Sequence, residues 1–192
     1  MIPRMHSKSL SFGAAVALVS GMLAAEEPAV PVGLQAELTA KIAAYDRNYT
    51  ARAGGKAKVI IVSKPGDAES TKVANLARSA FGSLPEVGGL PHEETLLGYS
   101  SAKALSDEVS KQKPAIVYLS TGLSSEVPGI ADALNGKDVV TVASVAADVP
   151  KGAVLGFDLV SGKPKLLVHL TQAKKQNAAF KAEALKLMKV FE

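Results

Sequence analysis

Apolar positions along this chain switch between two periods, and the switching outlines its elements. From Leu34 onward Leu34, Leu38, Ile42, Tyr45 and Tyr49 recur at steps of three or four, which places them on one stripe of a helix that can pack against a sheet. Ala53, Gly54 and Gly55 break that pattern. Residues 57–63 (AKVIIVS) form a β-branched run too short for a core helix and read as a buried strand. Asp67 is placed to cap a following helix whose Val73, Leu76, Ala80 and Phe81 share a face until Gly82.

The middle of the chain repeats the alternation. Residues 95–99 (TLLGY) read as a weak strand. Ser100 or Ser101 then caps a helix carrying Ala102, Leu105 and Val109, which Lys113-Pro114 terminates. Residues 115–120 (AIVYLS) and 138–143 (DVVTVA) read as strands, separated by a short helix around residues 128–134 with Pro128 in its first turn. Uniformly apolar strands alternating with helices predict a parallel sheet covered on both faces. Residues 153–160 and 165–170 are joined by a turn too short for a crossover, so they predict an antiparallel hairpin at the sheet edge. Phe180, Ala184, Leu187, Met188 and Phe191 then suit one stripe of a terminal amphipathic helix. The expected fold is three-layer α/β, a mostly parallel sheet of about six strands closed by a hairpin and a helix.

The start of the chain has a different grammar. Arg4 and Lys8 precede the uncharged stretch 10–25 (LSFGAAVALVSGMLAA), and the first acidic residue is Glu26. This pattern predicts a signal peptide over residues 1–25, cleaved after Ala25, and therefore export to the periplasm. Its apolar stretch falls short of the roughly 20 residues that span hydrocarbon. Residues 26–33 (EEPAVPVG) read as a tether, leaving residues 34–192 as one domain. The leader holds two of the 22 basic residues and none of the 18 acidic ones, so the remainder has a net charge of +2. That balance, with no basic run interleaved with aromatics, gives no reason to expect nucleic acid as a partner. No membrane insertion is expected once the leader is removed.

Catalytic patterns are scarce. Neither GxGxxG, a Walker motif nor GxSxG occurs, and the absence of cysteine excludes thiolate metal sites, cysteine nucleophiles and disulfides. SxxK appears at Ser100 to Lys103 and at Ser110 to Lys113 without its partner motifs, and a serine-capped helix start accounts better for the first. His92 beside Glu93 and Glu94 reads as part of a solvated loop, and His169 as a surface or hydrogen-bonded strand residue. No acid/base pair, metal set or cofactor site is expected.

What remains is a set of loops at the carboxyl ends of parallel strands, where ligands favour the point at which strand order reverses. Residues 63–67 (SKPGD), 120–125 (STGLSS) and 144–148 (SVAAD) qualify. In the second, Gly122 permits close backbone approach while Ser120, Thr121 and Ser124 offer hydroxyls to an anion or a sugar. The same hydroxyls also suit ordinary capping and turn formation.

Residues 41–54 (KIAAYDRNYTARAG) with the strand KVIIVS, the segment DVVTVASVA, and above all residues 156–191 (GFDLVSGKPKLLVHLTQAKKQNAAFKAEALKLMKVF) resemble the YfiR-like family of periplasmic proteins. That resemblance implies a Rossmann-like, flavodoxin-like sheet. It further implies a regulatory role, since the best-known relative restrains a membrane-bound diguanylate cyclase by binding its periplasmic sensory part. That relative depends on disulfides, so a thiol switch does not carry over to this cysteine-free chain. The sequence therefore leads to an exported, non-catalytic binding protein, an accessory or regulatory partner of a membrane-associated signalling complex. The alternative is a carrier of a small anion or sugar serving a transporter.

Overall fold

The computed structural model describes residues 27–192; the expected leader lies outside the described residues. Seven strands form one sheet in the order β2-β1-β3-β4-β5-β6-β7. They are β1 (Ala57–Ser63), β2 (His92–Gly98), β3 (Ile116–Leu119), β4 (Val140–Ala143), β5 (Leu155–Val160), β6 (Lys163–His169) and β7 (Met188–Phe191). The first five run parallel, β6 returns antiparallel to β5, and β7 lies parallel to β6. The helices are α1 (Val32–Ala43), α2 (Tyr49–Ala53), α3 (Ala68–Gly82), α4 (Ala102–Gln112), α5 (Val127–Ala133), α6 (Leu170–Lys175) and α7 (Ala182–Leu185), with a 3₁₀ turn at Ala146–Asp148.

The uniformly apolar strands are explained by a core on each side of the sheet. Val59, Ile61, Ile116, Tyr118, Leu155 and Phe157 meet α1 and α3 on one face. Ile60, Val62, Val117 and Leu119 meet Leu105, Val109, Val127 and Ile130 of α4 and α5 on the other. The expected caps form: the Asp67 carboxylate accepts from the Ser70 amide and the Ser101 hydroxyl from the Ala104 amide. Strands β4 and β5 touch at a single register pair, Val142 with Leu155. Where they part, the Gln176 side chain stands in for the missing strand, its Oε1 accepting from the Thr141 amide at 3.1 Å.

Four expectations change. The chain closes with the edge strand β7, not with a terminal helix: α7 has four residues, after which Met188–Phe191 pairs with β6. The sheet accordingly has seven strands, and the β5–β6 hairpin is interior to β7 rather than the edge. The first helix stops at Ala43, because Asp46 turns inward, and Tyr49 begins a separate short helix. Its buried face is Gln35, Ala36, Thr39, Ile42 and Ala43, with Leu34 and Leu38 only partly covered. Finally, α1 begins at Val32, inside the stretch expected to be a tether, and Val30 is fully buried. The Gln35 amide Nε2 holds it by donating to the carbonyls of Val30 at 2.9 Å and Ser144 at 3.0 Å.

Candidate functional site

The chain adds β2 on one side of β1 and every later strand on the other, so strand order reverses between β1 and β3. At the carboxyl ends of those two strands the three sequence-predicted loops converge. Gly122 has φ +80°, and a Cβ built on it would stand 2.6 Å from Asp67 Oδ2. The carboxylate of the first loop is therefore seated directly against the backbone of the second. Ser120 is fully buried and its hydroxyl is bonded to that of Ser70 on α3 at 2.7 Å. Ser70 Oγ also accepts from the Lys64 amide at 2.8 Å. Ser124 donates to Asp148 Oδ1 at 2.6 Å, joining the second loop to the third, and Lys151 Nζ donates to the same oxygen at 3.2 Å. Thr121 is fully buried, and its hydroxyl is without a partner.

Of the four residues proposed from sequence, Ser120 and Ser124 thus bond within the chain, Gly122 accommodates Asp67, and Thr121 retains an unused hydroxyl. The electrostatics follow from the carboxylates. Asp67 already occupies the amino terminus of α3, where an anion would otherwise be favoured, and Asp148 lies on the far side of the same crevice.

The two histidines among the described residues are both tied down. His92 belongs to β2, which starts three residues earlier than the pattern indicated; its Nδ1 meets the Glu94 carboxylate and its Nε2 the Leu84 carbonyl at 2.9 Å. His169 caps α6, its Nδ1 accepting from the Gln172 amide at 3.3 Å. Partial burial, and secondarily the nearby Lys175, hold the His169 pKa below the ordinary histidine value. Among the described residues, no group of three His, Cys, Asp or Glu side chains is placed to hold a metal ion.

Two features were not anticipated. A groove of about 650 Å³ runs between the second half of α1 and the segment before β2, lined by Glu37, Lys41, Tyr45, Leu84 and Glu86 among others. It lies away from the crevice, since α1 starts beside the carboxyl end of β4 and runs toward the other end of the sheet. The second is a buried ionic cluster. Arg52 donates from Nη1 to Asp46 at 2.6 Å, from Nε to Asp138 at 2.7 Å and from Nη2 to the Asn177 carbonyl at 2.8 Å. The one available signal was an acid and a base six residues apart, within a stretch whose apolar stripe reads as a single buried helix face.

The comparisons agree with this fold. Similar solved structures include an ABC domain in complex with L-Trp from Streptococcus pneumonia (TM-score 0.59, 11% identity, 84% of this chain and 62% of that one). A conserved domain protein from Vibrio cholerae gives TM-score 0.58 at 15% identity, over 84% of this chain and 60% of that one. The ligand-free, open form of a substrate binding protein with adhesive properties from Clostridium difficile gives TM-score 0.58 at 10% identity, over 76% and 57%. The aligned region is about three-fifths of the length of those structures, and at such identities the likeness is one of fold. Curated proteins gave no sequence match. The family model for YfiR/HmsC-like proteins matches residues 90–189, from the turn before β2 into β7, and the chain belongs to that family.

Proposed function

We propose that this is an exported, non-catalytic binding protein that works as an accessory or regulatory partner of a membrane-associated signalling complex. Membership of the YfiR/HmsC-like family supports the regulatory part. The observation that carries the reading is how the strand-end crevice is filled. Asp67 lies against Gly122, Ser70 pairs with Ser120, and Ser124 pairs with Asp148, so the polar groups that would turn toward a substrate bond one another. Recognition is then left to the outer surface. Among the described residues no helix is long and apolar enough to cross a membrane. Crosslinking in intact cells followed by affinity recovery is expected to return a membrane-bound sensor protein. Repeated recovery of the protein alone would overturn the proposal.

A second reading, a carrier for a small anion or sugar, draws on the fold-level likeness to a substrate binding protein and on the unpartnered Thr121 hydroxyl. Small-molecule sites favour the junction between two domains, and a single sheet offers no opposing wall. Thr121→Val separates the readings. Without ligand it removes an unsatisfied buried hydroxyl and is expected to leave Tm unchanged or slightly raised. If a panel of anions and sugars raises Tm and Thr121→Val abolishes that gain, the carrier reading replaces the first.

A further inference from the structure

The β5–β6 hairpin leaves the body of the molecule. Leu155 pairs with Val142, which brings Gly156 level with Ala143, the last residue of β4. Val160 lies four residues farther along, about 13 Å beyond the end of β4 at the usual strand rise. On its other side the ribbon gains a neighbour only from Leu166, which pairs with Met188. The tip is therefore unsupported on both edges, and residues 159–164 are all exposed. Leu159 and Val160 stand there at 42% and 51% exposure, with Lys163 and Lys165 on the returning strand. Lys186 and the 67% exposed Leu187 lie just before β7, beside the base of the ribbon.

The near-neutral charge of the chain conceals an asymmetry in the same region. Residues 151–192 carry eight lysines and three acidic residues, a net of +5, whereas residues 27–150 carry 12 basic and 14 acidic residues, a net of −2. On the ribbon itself the one acidic group is Asp158, opposite Lys165 and also accepting from the Leu159 amide. We infer that the hairpin tip is a contact site for an anionic phospholipid surface, with Leu159 and Val160 entering the headgroup boundary and Lys163, Lys165 and Lys186 attracted to the phosphates.

Register favours a bilayer over a protein groove. Leu159 faces the same side as its partner Pro164, while Val160 faces the other side with Lys163. Apolar groups distributed around a projecting tip have no common plane to present to a flat protein face, but a fluid boundary receives both. The inference does not depend on the identity of any protein partner.

The test is sedimentation of the purified chain from Glu26 onward with vesicles of phosphatidylglycerol and phosphatidylcholine, and separately of phosphatidylcholine alone. Binding to the anionic vesicles is expected to exceed that to neutral ones by about ten-fold or more and to fall in 0.5 M salt, a condition of roughly 4 Å screening. Leu159→Ser with Val160→Ser, and separately Lys163→Gln with Lys165→Gln, are each expected to weaken binding by about ten-fold at unchanged Tm. Equal binding to both vesicle types, or no loss in either variant, overturns the inference. So does an absence of vesicle binding together with loss of in-cell crosslinking in the same variants, which would reassign the tip to a protein partner. Full vesicle binding without any recovered partner would instead defeat the signalling role alone.

Discussion

At Gly122 the absence of a side chain is what lets the crevice close. Its φ of +80° lies in the left-handed region, and Asp67 Oδ2 occupies the space a Cβ would take. Gly122→Ala therefore carries a backbone cost of about 1 kcal/mol and expels the carboxylate that caps α3, a further 0.5–2 kcal/mol or so. The expected loss in urea unfolding is about 2–3 kcal/mol. In an Asp67→Ala background the same substitution is expected to cost distinctly less, because the group it would displace is gone. Equal costs in both backgrounds would mean that the carboxylate is not held there in solution. Gly122 was readable from sequence as a place of close approach, and Asp67 as a cap. The partner at Gly122 was not readable, because it belongs to a loop 55 residues away that only the sheet brings near. The hydroxyls of Ser120 and Ser124 are similar cases, satisfied by Ser70 and Asp148, which share no local pattern with them.

Elements were legible where a local signal and the tertiary setting agree. β1, β3 and β4 are buried on both sides, so their apolar runs are unambiguous, and α3 and α4 carry their own caps. The last element was misread because Phe180, Ala184 and Met188 recur at steps of four and all three are buried, as a helix would require. Their burial arises otherwise. Asp46 bridges to Phe180, α7 supplies one turn, and Met188 then enters the sheet, where the open edge of β6 gains a backbone partner. Short apolar runs do not distinguish the two outcomes without knowledge of that edge. At the start of α6, His169, read from sequence as a surface or hydrogen-bonded strand residue, ends β6 and caps the helix, and that role has a pH consequence. Its ring accepts from an amide, so the native state favours the neutral form, in keeping with the lowered pKa. The cap's contribution is complete above the unfolded histidine value of about 6.5 and is lost as pH falls through the lower folded value. Asn at this position caps without titrating in that range. Tm measured from pH 7.5 to 5 is therefore expected to fall more steeply for the wild type than for His169→Asn. Parallel curves would show that the ring does not cap the helix.

Across the whole molecule, the Arg52 cluster fastens the turn between α1 and α2 to the segment that follows α6. Asp46 lies between α1 and α2, Asp138 before β4, and Asn177 after α6; Asp46 also accepts from the Ala179 amide at 2.8 Å. Asn48 reaches the Asn177 carbonyl at 2.8 Å, closing the cluster from the other side. Both charged side chains of the central pair are 1% exposed, so removing one strands the other in a medium that solvates it poorly. Arg52→Met is accordingly expected to cost about 3–5 kcal/mol, which lowers Tm on the order of 10 °C for a domain of this size. Arg52→Lys is expected to recover little, because the guanidinium reaches three separate acceptors through Nε, Nη1 and Nη2, whereas an ammonium is one point charge on a flexible stem. Asp46→Asn combined with Arg52→Met should cost less than the sum of the single changes, since neither then leaves a buried charge alone. Calorimetry on the wild type and the four variants Arg52→Met, Arg52→Lys, Asp46→Asn and Asp46→Asn with Arg52→Met decides the matter. A fall of less than about 2 °C for Arg52→Met would mean that water reaches Asp46 and that the sheet and its edge strand, rather than this cluster, hold these two segments together.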